Sequence, residues 1–180
     1  KEIKQYIMKI THIETIRVDE RPQIIWVNIH TDNGIIGLGE TWYAPTVVES
    51  AIHDHFGPLL IGRDPRKIEL HWHSMFNLSD HAGYGGAEMR AISAIDMALW
   101  DLCGKIYSQP TWKLLGGSVK KEITPYASLL PKGRTLKDYS DSLVKKTVKA
   151  KELGFKAAKL EICIKGPYSH NNLQIKDRGQ

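Results

Sequence analysis

The stretch Arg90-Ala-Ile-Ser-Ala-Ile-Asp-Met-Ala-Leu-Trp-Asp-Leu-Cys-Gly-Lys105, followed by Gln109-Pro-Thr-Trp-Lys-Leu-Leu-Gly-Gly117, decides how the rest of the chain is read. Its apolar residues recur at Ile92, Ile95, Leu99 and Leu102, the three-to-four spacing of a helix that buries one face. Ala91, Ala94 and Ala98 make part of that helix thin, so another element can approach closely. Gly104 is expected to end it in a left-handed cap. Asp96 and Asp101 interrupt the run, and the plain expectation is that both face solvent.

Upstream, Ile10 to Val18, Ile24 to His30 and Ile35 to Gly39 read as strands, the first by its alternation of apolar and polar residues. Asp32-Asn33-Gly34 is a tight-turn signal, since Asn and Gly tolerate positive φ, so the three strands form an antiparallel meander. A helix is expected from about Pro45 to His55, ending near Gly57-Pro58. Asp64-Pro65 reads as N-cap and first residue of a second helix running to about Met75. Ser79 to Gly86 reads as a glycine-rich loop leading into the long helix from Ala87, and a short helical turn from Thr111 to Leu115 closes the domain at Gly116-Gly117.

After a basic linker the pattern changes to a strand (Ile123 to Leu129), a helix (Leu136 to Leu153) and a second strand (Ala157 to Ile164). That is one βαβ unit, whose parallel strands require a helical crossover. The chain from Lys165 is polar and turn-like.

Composition narrows the class. The chain has 180 residues, 42% hydrophobic and 25% charged, ordinary for a globular protein. No apolar run approaches a membrane span. Cys103 and Cys163 read as buried free thiols of a reducing compartment, and the cytoplasm is the expected location. The formal charge of +5 is uneven: residues 1–118 hold 11 Lys/Arg against 14 Asp/Glu, residues 119–180 hold 14 against 6. Lys145, Lys146, Lys149 and Lys151 occupy several faces of one helix without interleaved aromatics, which favours a solvated surface over a nucleic-acid stripe.

The quoted helix and turn resemble the N-terminal domain of the mandelate racemase/muconate lactonizing enzyme family, in the enolase superfamily. Three further segments agree, in the family's order. Thr31-Asp-Asn-Gly-Ile-Ile-Gly-Leu-Gly-Glu40 resembles its hairpin, Ile123-Thr-Pro-Tyr-Ala-Ser128 its first barrel strand, and Gly154-Phe-Lys-Ala-Ala-Lys-Leu-Glu161 its second. The similarity runs to about His170. It implies an α+β capping domain over residues 1–118, folding over the C-terminal mouth of a (β/α) TIM-type barrel that begins at 119–180. Such a barrel takes about 250 residues, so the chain is expected to be a fragment or truncated product, inactive alone.

The resemblance implies an enzyme that abstracts the proton α to a carboxylate and holds the enediolate on Mg²⁺. An acid-sugar dehydratase is the first expectation, a racemase, epimerase or cycloisomerase of the same family the second. A non-catalytic capping or oligomerisation module is the rival from another class; a reading frame continuing past Gln180 into Asp and Glu metal ligands would decide against it. In the family the metal carboxylates lie on the third to fifth barrel strands, so no metal ligand is assigned in this sequence. Lys159-Leu160-Glu161 stands where many members carry Lys-x-Lys, whose second lysine is the base. Here that position is Glu161, so Lys159, Glu161 or neither is the base, and a structural ion pair is the alternative. Cap loops set substrate selectivity in related enzymes, which makes Arg21, Trp42, Tyr43, His81 and Tyr84 the candidate substrate-binding residues. Their mixture of aromatic and polar groups points to a polyhydroxy acid. Expected partners are a small-molecule carboxylate and further copies of the full-length chain, with neither nucleic acid nor membrane.

His53-x-His55 and His71-x-His73 fall on predicted helices, where residues two apart do not face each other, so neither pair reads as a metal site. Gly83-Tyr-Gly-Gly86 lacks the strand and the Gly-Lys-Ser/Thr ending of a phosphate loop, and there is no serine nucleophile elbow.

Overall fold

The computed structural model describes residues 7–82, 85–133 and 135–161. The chain divides into two compact units, residues 1–118 and 119–180.

The first unit opens with an antiparallel meander, β1 (Ile10–Ile16), β2 (Ile24–Thr31) and β3 (Ile36–Trp42), in the order β1-β2-β3. Pairs such as Ile13↔Ile29 and Asn28↔Leu38 fix the register. Ile25, Val27 and Ile29 of β2 alternate into the core, each fully buried. Three helical segments follow without a break: α1 (Pro45–Ser50), a π-helical turn (Ala51–Phe56) and α2 (Gly57–Leu60). Next come α3 (Ile68–Ser79), a 3₁₀ turn (Asp80–Ala82), α4 (Ala87–Tyr107) and α5 (Thr111–Leu114).

Helix α4 organises the core. Ile92, Ile95, Leu99 and Leu102 are all fully buried, each worth about 1.5–3 kcal/mol of burial. The thin stripe is used as its small side chains allow. A Cβ at Gly37 would stand 2.1 Å from the Ala98 carbonyl oxygen, and one at Gly39 would stand 1.9 Å from that of Ala94. Strand and helix therefore meet backbone to backbone. The apolar residues of β3 point the other way, with Ile36 and Leu38 exposed. Side chains of α4 also tie down the free edge of β3. Asp101 accepts from the Leu38 N–H at 2.8 Å, and the Lys105 ammonium donates to the Ile36 carbonyl at 2.7 Å. Such pairing protects an edge strand from further partners.

Several boundaries differ from those read in the sequence. Gly57-Pro58 does not stop its helix. The Gly57 N–H reaches back five residues to the Ile52 carbonyl, and this wide turn gives the proline ring room. Asp64 caps a turn and not a helix: it accepts from the Arg66 N–H at 3.0 Å, its carboxylate grips the Arg66 guanidinium, and α3 starts four residues later. That helix continues past Met75 to Ser79, so the segment before Gly86 is helical in its first part. Gly104 lies inside α4, where a Cβ would meet the Gln109 carbonyl at 2.9 Å; the left-handed cap is Ser108 (φ 51°, ψ 38°). In the β2–β3 turn only Gly34 takes positive φ (83°), while Asn33 uses its side chain on the Thr31 hydroxyl and the Ile35 N–H. β3 runs to Trp42, so Thr41 and Trp42 are strand residues. Asp96 and Asp101 are both partly buried, not free in solvent. Burial, with the Glu69 charge adding to it, holds the Asp96 carboxyl above its ordinary value. Cys103 is a buried free thiol, and burial pushes it up as well. Cys163 lies outside the described residues.

The second unit is a βαβ motif: β4 (Tyr126–Leu129), α6 (Leu136–Glu152) and β5 (Ala157–Leu160), with β4 and β5 parallel. Pairing starts at Tyr126, after Pro125, which has no N–H to give a ladder. A reciprocal capping box starts α6, with the Thr135 hydroxyl accepting from the Asp138 N–H at 3.1 Å and the Asp138 carboxylate accepting from the Thr135 N–H at 3.0 Å.

Candidate functional site

The second unit carries the candidate catalytic pair. Along β5 side chains alternate, and the register sets Ser128 beside Lys159 and Leu129 beside Leu160. Leu160 lines an apolar groove with Leu136, Leu143 and Val148 of α6, and Glu161 is part of the same lining; strand alternation turns Lys159 away from Leu160. Glu161 extends the ladder by one bond, its N–H donating to the Leu129 carbonyl at 3.0 Å. The Lys159 ammonium and the Glu161 carboxylate then meet at 3.3 Å, with side chains 51% and 40% exposed. Two opposite charges thus stand together at the C-terminal end of a parallel strand, where open α/β folds present their chemistry. Ile162, expected on the face of Leu160, lies outside the described residues.

In the first unit, backbone bonds bring two candidate segments to one end of the sheet. Arg21 sits in the β1–β2 turn, closed by the Arg21 N–H on the Val18 carbonyl (3.0 Å) and the Ile24 N–H on the Arg21 carbonyl (2.9 Å). The last pair of β2 and β3 is Ile24↔Trp42, and the Tyr43 N–H continues onto the Gln23 carbonyl at 2.9 Å. The Arg21 turn and the Trp42-Tyr43 corner are therefore neighbours, and all three side chains are exposed.

At the corner the chain turns sharply. Tyr43 (φ 81°) and Ala44 (φ 51°) both occupy the left-handed region, which costs an L-residue about 1–2 kcal/mol each. Arg90, in the first turn of α4, reaches this corner across 48 residues of sequence. Its Nη1 donates to the Trp42 carbonyl at 2.6 Å, and its guanidinium lies 5.4 Å from the centre of the Tyr43 ring. The Trp42 and Tyr43 rings are 5.4 Å apart and tilted by 41°. Sequence reasoning overlooked Arg90, because nothing local distinguishes it from a solvated first-turn residue.

His81 lies exposed in the 3₁₀ turn after α3. Tyr84 lies outside the described residues. The histidine pairs are spent separately: His53 Nε2 is 2.9 Å from the Thr15 hydroxyl, and buried His71 donates from Nε2 to the Asp64 carbonyl at 2.7 Å. Among the described residues no group of three or more His, Cys, Asp or Glu side chains is arranged to hold a metal ion. Nor is any of their helices long and apolar enough to cross a membrane.

Residues 8–116 match the family described as mandelate racemase / muconate lactonizing enzyme, N-terminal domain. The chain is 36% identical to the 3,6-anhydro-D-galactonate cycloisomerase of Zobellia galactanivorans (TM-score 0.73), over 84% of this chain and 42% of that one. It is 31% identical to a member of the enolase superfamily from Salmonella Typhimurium (TM-score 0.74), over 86% and 42%. An enolase from Pantoea ananatis with bound D-gluconate and Mg is 33% identical (TM-score 0.68), over 86% and 36%. The chain thus spans half or less of the length of these solved relatives and of the Sargasso Sea enolase it also matches.

Proposed function

The chain belongs to the mandelate racemase/muconate lactonizing enzyme family of the enolase superfamily, and from that membership we propose that it is the capping domain and first βαβ unit of an acid-sugar dehydratase. The observation that carries this reading is the Lys159–Glu161 pair, 3.3 Å apart and half exposed at the end of β5. The pair stands at the C-terminal end of a parallel strand, where barrel folds present their chemistry. Lys159 supplies the positive charge that attracts the substrate carboxylate, and Glu161 orients it at the end of the strand. The proton α to the carboxylate passes to the Glu161 carboxylate, or to Lys159 in its neutral amine form; the Cβ–O bond then breaks as the Cα–Cβ double bond forms, and the abstracted proton returns to the departing oxygen so that it leaves as water.

Gluconate bound in the Pantoea relative supports the substrate class, because it carries an acidic α-hydrogen next to a hydroxylated β-carbon. The Mg in the same relative supports a Mg²⁺ cofactor for the whole enzyme, held by residues other than those described. A second reading, cycloisomerisation, is favoured by the Zobellia relative. Arg21, Trp42, Tyr43, His81 and Tyr84 are the proposed substrate-binding residues in either reading. A cytoplasmic enzyme built from several copies completes the proposal, which a buried Cys103 outside any disulfide suits.

The test is turnover of D-gluconate and hydrogen exchange in deuterated water by the enzyme with its barrel complete. Lys159→Met, which keeps volume and removes the charge, should abolish turnover while leaving the melting temperature near that of the parent. Glu161→Gln should cost less if Glu161 only orients Lys159, and as much if it takes the proton. Near-normal kcat in Lys159→Met would make the pair structural and overturn the assignment. The 180 residues alone should exchange no α-hydrogen above background.

A further inference from the structure

The β2–β3 turn carries the pair Asn33-Gly34, and an asparagine followed by glycine can react with its own chain. The nitrogen of the second residue attacks the side-chain amide carbon of the first, and a glycine there leaves the approach open. Nothing lies within 4 Å of where a Gly34 Cβ would stand, and both residues are exposed to water. Asn33 Oδ1 accepts the Ile35 N–H at 3.2 Å, so the side chain is already folded over the intervening Gly34 peptide. The Thr31 hydroxyl stands 2.6 Å from the same oxygen and 2.6 Å from the Ile35 carbonyl, sharing its one hydrogen between them. Thr31 itself is buried, so this donor is mounted on the core. One contact opposes the reaction: the Gly34 N–H donates to the Thr31 carbonyl at 3.0 Å, which engages the attacking nitrogen.

Magnitudes decide between these effects. The two donors on Oδ1 lie where negative charge gathers once the side-chain carbon is attacked. In an enclosed site one such donor is worth about 10²–10³ in rate, and at an exposed turn about tenfold. Freeing the Gly34 N–H from its turn bond costs about tenfold at most. Two donors therefore outweigh one broken bond. We propose that Asn33 is a self-modification site, at which the folded turn promotes loss of the side-chain amide through a cyclic imide. The Gly34 nitrogen gives its proton to water or hydroxide and bonds to the Asn33 side-chain carbon. The bond from that carbon to Nδ2 breaks, and Nδ2 takes up a proton and leaves as ammonia. One water then opens the ring. Opening at the side-chain carbon gives aspartate, whose carboxylate can keep both donors and leave the hairpin closed. Opening at the main-chain carbon gives isoaspartate, which adds one backbone atom beside the His30↔Ile36 pair and disturbs the register there.

The experiment incubates the complete enzyme in mildly alkaline buffer, folded and in denaturing urea, and follows its peptides by tandem mass spectrometry. Asn33 should gain about 1 Da, with the imide or isoaspartate detected on the way. The folded enzyme should convert about tenfold faster than the unfolded one. Asn28 and Asn77, followed by isoleucine and leucine, serve as internal controls and should stay unchanged. Thr31→Val, close in shape to the parent residue, should slow the folded rate about tenfold, whereas Thr31→Ser, which keeps the hydroxyl, should not. Amide protection along β2 and β3 checks that each variant is folded. If Thr31→Val does not fold, the ratio of folded to unfolded rates in the parent decides the matter. A folded rate at or below the unfolded one would overturn the proposal. So would a folded Thr31→Val enzyme as fast as the parent, or aspartate formed with neither imide nor isoaspartate.

Discussion

Replacing Gly39 by alanine should damage the first unit more than any other single methyl addition to the meander. The new Cβ would stand 1.9 Å from the Ala94 carbonyl oxygen and 3.0 Å from the Ala94 carbonyl carbon and the Ala98 nitrogen. Ordinary contact begins near 3.4 Å, so β3 and α4 must separate by about 1.5 Å, far outside the range of a favourable contact. No rotamer can absorb this, because every obstacle is main chain. Overpacking costs about 1–3 kcal/mol and sometimes more; an immovable backbone puts this case near 3 kcal/mol. At about 4–8 °C per kcal/mol for a small domain, the unit should melt more than about 10 °C lower. Gly34→Ala is the control. It has φ 83° and nothing within 4 Å, so it suffers backbone strain alone, about 1–2 kcal/mol. Ala94→Gly should not rescue Gly39→Ala, since it removes a methyl that is not in the way. Urea titrations and thermal melts of the three variants provide the comparison. A Gly39→Ala protein as stable as Gly34→Ala would refute the close approach of strand and helix.

Two further outcomes follow from α4. Burial, then the Glu69 charge, raises the Asp96 carboxyl in the folded state, so its favourable contribution is full below the ordinary carboxylate value and is lost as pH rises through the folded value; Asp96→Asn should therefore raise the melting temperature at about pH 7, the gain shrinking towards about pH 3, and a gain independent of pH would contradict the cause. Asp101→Ala should cost about 1–2 kcal/mol through its lost charged hydrogen bond and speed amide exchange at Leu38, with Asp101→Asn in between; unchanged exchange at Leu38 would mean that Asp101 does not hold the edge of β3.

How much of this was legible in the sequence depended on the range of the forces involved. The buried stripe of α4, the alternation of β2 and the parallel pairing of β4 with β5 were readable, because each follows from the period of one element or from the length of one crossover. The matching parity of Lys159 and Glu161 was readable for the same reason, and the two side chains meet at 3.3 Å. Ile36 and Leu38 were not: strand periodicity marks them only as one apolar face, whereas the close approach of Ala94 and Ala98 gives the inward face to Gly37 and Gly39. Asp64-Pro65 has the composition of a helix start, yet the Arg66 guanidinium claims the carboxylate and α3 begins later. Gly104 looks like a terminal glycine until the returning chain at Gln109 is seen to need its missing side chain. The corner at Tyr43-Ala44, held by Arg90 from another element, has no local signature. Sequence alone determined which faces are apolar, where chains can turn and which family's order of segments is present. Tertiary structure decided which side of β3 is buried, which carboxylates are engaged and what holds the corner, because those outcomes depend on contacts between residues tens of positions apart.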